Sequence, residues 1–194
     1  MNELDAFLTL LAMLLADLRT DVLMALLIVA AVIDFRTYRI PNWLTMSGAL
    51  FGLAYSIAVP FSPQAGFLSS LGGLAIGLAI MLPMYVLRVT GAGDVKLIAM
   101  SGTFLGAGGV LPAIVCSFVV GGMAALGVAL FRRSLGRMIT NIKNISQSAA
   151  FYASGGMLPN MQVAPGASVG RLPYAVSIAV GTIAYLVARQ LGFL

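Results

Sequence analysis

The sequence predicts an all-α membrane protein, a polytopic bundle of about six core transmembrane helices preceded by an N-terminal hydrophobic helix. Its composition is 60% hydrophobic and only 9% charged, whereas soluble domains average about 25% charged residues. The apolar residues also form long runs, which short polar or Pro- and Gly-rich segments separate. Since one crossing takes about 20 residues, the 194 residues suit such a bundle and leave no room for a separate soluble module.

The N-terminal region carries a shorter apolar run, residues 4–18, which ends at the polar stretch 17–21. Glu3 and Asp5 stand where a secretory signal has basic residues, so no cleavable signal peptide is predicted. The run either lies in the membrane interface or crosses at a tilt. The chain is therefore divided into an N-terminal hydrophobic or interfacial segment, 1–21, and a membrane domain, 22–194.

The first core helix is predicted over residues 22–33, where the apolar run ends at Asp34. Pro41 blocks continuation of a helix, and Asn42 suits the N-cap of the next one. Turn-forming residues separate the later helices. These are predicted over 43–59, 67–87, 94 or 95 to a turn at 106–109, 110–131 and 172–191.

The connection 132–171 contains apolar residues at helical spacing between residues 135 and 152, with basic and polar residues opposite. This pattern favours an amphipathic helix on the membrane surface over a partly ordered loop. An open loop is predicted over 154–171. Gly73 with Gly77, and Gly102 with Gly106, have the spacing of closely packed membrane helices, although such pairs also arise by chance in a chain with 22 glycines.

The basic residues indicate the orientation. If the helices alternate, most of them fall on one side, which the positive-inside rule makes the cytoplasm. This group comprises Arg36, Arg39, Arg88, Lys96, Arg132, Arg133, Arg137, Lys143 and Arg171. Because the basic residues lie between apolar runs, the net charge of +5 indicates membrane lipids as partners and not nucleic acid.

The carboxylates are the most informative residues. Of six acidic residues, only Asp34 and Asp94 follow position 21. Two complete predicted helices separate them, so both return to the cytoplasmic side. A carboxylate at membrane depth is costly and marks a functional site by default. The chain has no His and a single Cys, which excludes His-based catalysis and the usual zinc sites, and no metal or cofactor is expected.

Two facing carboxylates do not both ionise at low cost, so one holds a proton. The ionised partner can then activate a water while the protonated one polarises a peptide carbonyl, as in aspartic proteases. Gly91 and Gly93 would let a substrate backbone approach closely. Two structural alternatives stay open: Asp94 as a helix N-cap, and Asp34 as the ion-pair partner of a nearby arginine. Lys96 is expected to reach lipid phosphate.

These residues form two motifs, within 34–42 and 91–97, that resemble the type IV prepilin peptidases of the GxGD class of intramembrane aspartyl proteases. The similarity covers roughly residues 22–191 and is greatest to the short form that processes Flp-type prepilins for Tad pili. The motif residues here are Asp34, Arg36, Ile40, Pro41, Asn42, Gly91, Gly93, Asp94, Lys96 and Leu97, with Pro173 and Tyr174 at the last helix.

The resemblance implies that Asp34 and Asp94 are the catalytic pair. The residues expected to shape the site or contact substrate are Arg36, Pro41, Asn42, Gly91, Gly93, Lys96, Pro173 and Tyr174. The resemblance further implies removal of a short basic leader from a prepilin at the cytoplasmic face of the bacterial inner membrane, and contacts with the pilus or secretion machinery. The cysteine-rich insert of the long members is missing, so no methyltransferase activity is expected.

Two other functions compete with the peptidase. A proton-coupled transporter or channel subunit could relay protons through Asp34 and Asp94, but it should show inverted repeats and mid-membrane polar residues. A non-catalytic membrane subunit of a secretion or pilus machine would need neither carboxylate.

Overall fold

The computed structural model describes residues 17–59, 66–87, 89–131 and 173–193, with isolated helical residues at 136, 140, 143, 146 and 147. Regular structure in these ranges is entirely helical, which confirms the predicted all-α class. The helices are α1 (Leu18–Thr37), α2 (Asn42–Ala58), α3 (Phe67–Val86), α4 (Ala92–Phe131) and α5 (Tyr174–Gln190).

Helix α4 is broken at Gly106, which adopts φ 72° and ψ 177°. This conformation lies in the region that favours glycine, and it divides the 40-residue helix into two helical segments. The turn predicted at 106–109 is thus a break at Gly106 alone, and residues 107–109 are helical. With this break, helices α1 to α5 comprise six helical segments.

The number of membrane crossings stays a prediction. Among the described helices, only α3 and α4 are both long and apolar enough for a span. Helices α2 and α5 have 17 residues each, at the lower end of the range for a bilayer crossing. Helix α1 is long enough but carries charged residues at both ends.

Four helix starts differ from the sequence predictions, and the simplest case is α5, which begins at Tyr174 and not at residue 172. Helix α1 begins at Leu18, because the Asp17 carboxylate caps it by accepting from the Arg19 N–H at 3.2 Å. The N-cap predicted at Asn42 is wrong: Pro41 occupies that position and Asn42 is the first residue of α2. Helix α4 begins at Ala92, which is two residues before the earlier of the predicted starts.

The bundle is built around α4, which packs most extensively against α3 and then against α5. Its buried residues join apolar side chains of every other described helix in one core. Glycines bring α3 and α4 together, since a Cβ on Gly73 would lie 2.0 Å from the Gly102 carbonyl oxygen. The close helix packing predicted from the glycine spacing is thus confirmed for this pair.

Three predicted features lie outside the described residues. These are the N-terminal apolar run through residue 16, residues 60–65 of the turn between the helices predicted over 43–59 and 67–87, and most of the connection 132–171 with its amphipathic helix and open loop.

Candidate active site

Four chain segments meet at one end of the bundle: the last turn of α1 and the first turns of α2, α4 and α5. The contacts between them connect Asp34 with Ala175, and Asn42 with Lys96. The residues that the sequence analysis selected therefore lie on segments that the fold brings together.

Asp34 lies in the last turn of α1 and is only 6% exposed. Its Oδ2 accepts a hydrogen bond of 3.0 Å from the backbone N–H of Ala175, in the first turn of α5. The N–H groups of a helix's first turn have no partner within the helix, and they carry the positive end of its dipole. Helix α5 therefore supplies the donor that fixes one oxygen of this carboxyl group.

The ion pair considered for Asp34 is not found in the described part of the chain. Arg36 and Arg39 are both exposed, and the hydrogen bond that the Asp34 side chain accepts comes from Ala175. Interfacial pairing with an arginine therefore does not explain why this carboxyl group is buried.

Asp94 is the third residue of α4 and is 7% exposed. Its Oδ2 accepts a 3.0 Å hydrogen bond from the N–H of Gly91, the residue just before the helix. The carboxyl group thus caps the helix from inside its first turn and does not occupy the N-cap position. This bond resembles the second half of a capping box, in which the third helical residue reaches back to the cap.

The two carboxyl groups lie close enough to interact electrostatically, although the residues are 60 positions apart in the sequence. The phenol of Tyr174, at the start of α5, also lies within electrostatic range of Asp94. In each carboxyl group Oδ2 is held by a backbone N–H, whereas Oδ1 makes no hydrogen bond to the described residues. One oxygen of each carboxyl group therefore has no hydrogen-bond partner among the described residues.

Lys96 and Asn42 connect α4 to α2 beside this pair. The ammonium group of Lys96 donates a 2.8 Å hydrogen bond to Asn42 Oδ1 at the protein surface. Lys96 is exposed, as expected for a residue that reaches lipid phosphate, but the structure gives it a partner within the protein. The two motifs are thus joined by a side-chain contact.

Gly93 faces the segment that joins α1 to α2. A Cβ on Gly93 would lie 3.1 Å from Ile40 Cβ, a tight contact, while a Cβ on Gly91 would lie 3.3 Å from Asp94 Oδ2. Gly93 therefore lets the start of α4 pack closely on the Ile40 side chain, in the segment that joins α1 to α2. Close approach of a substrate backbone at this position stays a proposal.

Two contributors to the site, Tyr38 and Ala175, were missed by the sequence analysis, which named Ile40 as a motif residue but gave it no role. Tyr38 caps α1 in the left-handed conformation, with φ 51°, and donates its N–H to the Asp34 carbonyl at 2.8 Å. This conformation is costly for a tyrosine and turns the chain sharply after α1. Ile40 packs on Gly93, and Ala175 holds Asp34.

The remaining predicted residues lie at the edges of the site. Arg36 is exposed in the last turn of α1, and Pro41 and Pro173 are the N-cap residues of α2 and α5. Within the described ranges, no group of three or more His, Cys, Asp or Glu side chains is arranged to hold a metal ion.

Comparison with known proteins identifies one family. A sequence model of the type IV leader peptidase family matches residues 22–126. The match covers just over half of the chain and includes both Asp34 and Asp94. No curated protein and no solved structure shows a significant match to the chain.

Proposed function

The chain belongs to the type IV leader peptidase family, and we propose that it is an aspartic endopeptidase in which Asp34 and Asp94 activate one water molecule. One observation carries the proposal: two buried carboxyl groups from distant parts of the sequence lie at one end of the bundle, in the last turn of α1 and the first turn of α4. Each is held through a single oxygen by a backbone N–H. Aspartic proteolysis needs two carboxyl groups with a shared proton and no other catalytic group.

The reaction follows from this arrangement. The ionised carboxyl group takes a proton from water as the water oxygen bonds to the peptide carbonyl carbon. The protonated carboxyl group gives its proton to the carbonyl oxygen, which forms a neutral tetrahedral diol. The carboxyl group that took a proton from water gives it to the amide nitrogen, the other carboxylate takes a hydroxyl proton from the diol, and the carbon–nitrogen bond breaks, which leaves a new carboxyl and amino terminus and restores the pair. The two groups act as one unit whose protonation states are shared.

We further propose the substrate and the side of the membrane. The substrate is an Flp-type prepilin whose short basic leader is removed at the cytoplasmic face of a bacterial inner membrane. Basic residues support this orientation, since Arg36, Arg39 and Lys96 all lie in or next to the four segments that form the site. The prepilin's apolar helix would lie in the bilayer beside the bundle, which places the leader junction at the depth of the carboxyl pair.

The direct test is cleavage of a prepilin by the purified protein in detergent, read by mass spectrometry of the pilin N-terminus. An Flp-type prepilin should yield a single new N-terminus at the leader junction, with no added methyl group. A prepilin whose basic leader residues are replaced by Glu serves as the matched control and should be cut far more slowly. If no new N-terminus appears in the unaltered prepilin, the assignment of this substrate is wrong.

A second test concerns Gly93. Replacing it by Ala should lower the rate of cleavage several-fold, and Gly93→Val should lower it further. The added atoms would press on Ile40 and so shift the start of α4, which carries Asp94. The rate per folded molecule is measured with the same prepilin assay, and folding is followed by thermal unfolding in detergent.

The contact with Ile40 provides the control. In the double variant Gly93→Ala, Ile40→Gly the Ile40 Cβ that the new atom would meet is removed, so cleavage should recover relative to Gly93→Ala alone. Such recovery is a coupling that two independent effects would not produce. If the fold-reduction in the cleavage rate of the double variant equals the product of the two single fold-reductions, Gly93 does not act through Ile40. Contact of Gly93 with the substrate backbone is then the alternative.

A further inference from the structure

The helices that carry the two carboxyl groups make little direct contact with each other. Among the described helices, α4 packs far more extensively on α3 and on α5 than on α1. Direct packing of α1 on α4 therefore contributes little to the separation of Asp34 and Asp94. Other contacts near the site must set that separation, and the bond from the Ala175 N–H to Asp34 is one of them.

A second connection runs through the joining segment, residues 38–41, which links α1 to α2. Its first residue is fixed to the end of α1, since the Tyr38 N–H donates to the Asp34 carbonyl at 2.8 Å. The Thr37 hydroxyl lies 3.1 Å from the Arg39 carbonyl oxygen, which holds the same turn. A shift of the joining segment is therefore passed to the last turn of α1, where Asp34 lies.

Two contacts hold the joining segment and the start of α2 against the start of α4. Ile40 is half-buried, and its Cβ lies 3.1 Å from the position that a Cβ on Gly93 would take. Directly after the segment, Asn42 Oδ1 accepts a 2.8 Å hydrogen bond from the Lys96 ammonium group. Both contacts fall within two residues of Asp94, so they fix the part of α4 that carries the second carboxyl group.

Lys96 is not placed to act on Asp94 directly. Residues two positions apart on a helix do not face each other, and Lys96 is exposed whereas Asp94 is buried. The Lys96–Asn42 hydrogen bond is also exposed, and such a bond contributes little to folding because water competes for both partners. Its effect is therefore expected on the position of α4 and not on the charge of the site or the stability of the fold.

We propose that Lys96 and Asn42 are positioning residues for the carboxyl pair. Their hydrogen bond, aided by the contact of Ile40 with the start of α4, fixes α4 relative to the end of α1 and so sets the separation of the two carboxyl groups. This role rests on the proposed aspartic mechanism, in which the pair shares a proton and activates one water molecule. That geometry is sensitive, because a misplacement of about 1 Å can cost about 100-fold in rate.

The test measures kcat and KM separately in the prepilin cleavage assay. Lys96→Met keeps the length of the side chain but has no donor, and Asn42→Ala has no side-chain acceptor. Each should lower kcat about tenfold or more, with KM and the thermal unfolding midpoint in detergent little changed. The double variant should be no slower than the slower single one, because each change breaks the same bond. Lys96→Arg, which keeps a donor, should recover most of the rate.

Lys143→Met is the matched control, because it makes the same change at another exposed lysine and should leave kcat unchanged. Equal kcat in Lys96→Met and the unaltered protein would overturn the proposal. A loss of rate in Lys96→Met that Asn42→Ala does not share would also overturn it, and would indicate lipid phosphate as the partner of Lys96.

A distance measurement tests the same role without cleavage. Spin labels on Phe35→Cys and Ala92→Cys, exposed positions at the end of α1 and the start of α4, report the separation of the two helix ends in a Cys116→Ser background. Lys96→Met should shift or broaden the distribution of label distances, and Lys143→Met should not. An unchanged distribution in Lys96→Met would overturn the positioning role even if prepilin is cleaved. Failure of the unaltered protein to cleave prepilin would instead refute the peptidase, and the label distances would still decide whether the contact positions α4.

Discussion

Replacing Asp34 by Asn is expected to lower the rate of prepilin cleavage by at least about 10³-fold, in the range lost with an essential acid–base group. The amide keeps the size of the carboxyl group, and its oxygen can still accept the hydrogen bond from the Ala175 N–H. It cannot take a proton from water, so the chemistry is lost while the fold is kept. The rate is measured per folded molecule by mass spectrometry of the pilin N-terminus.

Asp94→Asn should have an effect of similar size, and the double variant should be scarcely slower than either single one. Groups that act as one unit are strongly non-additive, since removal of either already disables the pair. Asp21→Asn is the matched control: it makes the same chemical change near the other end of α1 and should leave cleavage unchanged. An Asp34→Asn protein that processes prepilin near the normal rate would exclude the pair as the catalytic group.

The carboxyl pair could be inferred from the sequence because charge is rare in this chain. Only two acidic residues follow position 21, and helices that alternate in direction would return both to one side of the membrane. Counting the acidic residues and following the alternation of the helices both require only the sequence, and neither depends on a side-chain conformation. The transporter alternative expected these groups at mid-membrane, whereas Asp34 lies in the last turn of α1 and Asp94 in the first turn of α4.

The hydrogen-bond donors to the two carboxyl groups could not be inferred from the sequence, because they are backbone N–H groups. Every residue except proline has an N–H, so no sequence pattern distinguishes the N–H of Ala175, which holds Asp34. The left-handed Tyr38 gives no signal either, since Gly and Asn are the residues that usually mark this conformation. The start of α2 was misplaced for a related reason: the Asn42 side chain, suited to an N-cap, instead accepts from Lys96.

Replacing Gly73 by Ala is expected to destabilise the protein by about 1–3 kcal/mol or more, the cost of forcing extra atoms into a closely packed interior. The new Cβ would lie 2.0 Å from the Gly102 carbonyl oxygen, and backbone cannot move aside as a flexible side chain can. Helices α3 and α4 would have to separate along their whole contact. Thermal unfolding in detergent should show a clear fall in the midpoint.

Gly122→Ala is the matched control, because a Cβ at this position in α4 meets nothing within 4 Å. The same substitution should there stabilise the helix by about 0.4–1 kcal/mol, through the lower conformational freedom of the unfolded chain. Gly102→Ala should act like Gly73→Ala, since a Cβ on Gly102 would lie 2.2 Å from the Gly73 carbonyl oxygen. Because the two residues share one contact, the double variant should cost less than the sum of the single ones. Equal unfolding midpoints for Gly73→Ala and Gly122→Ala would mean that α3 and α4 do not pack through these glycines.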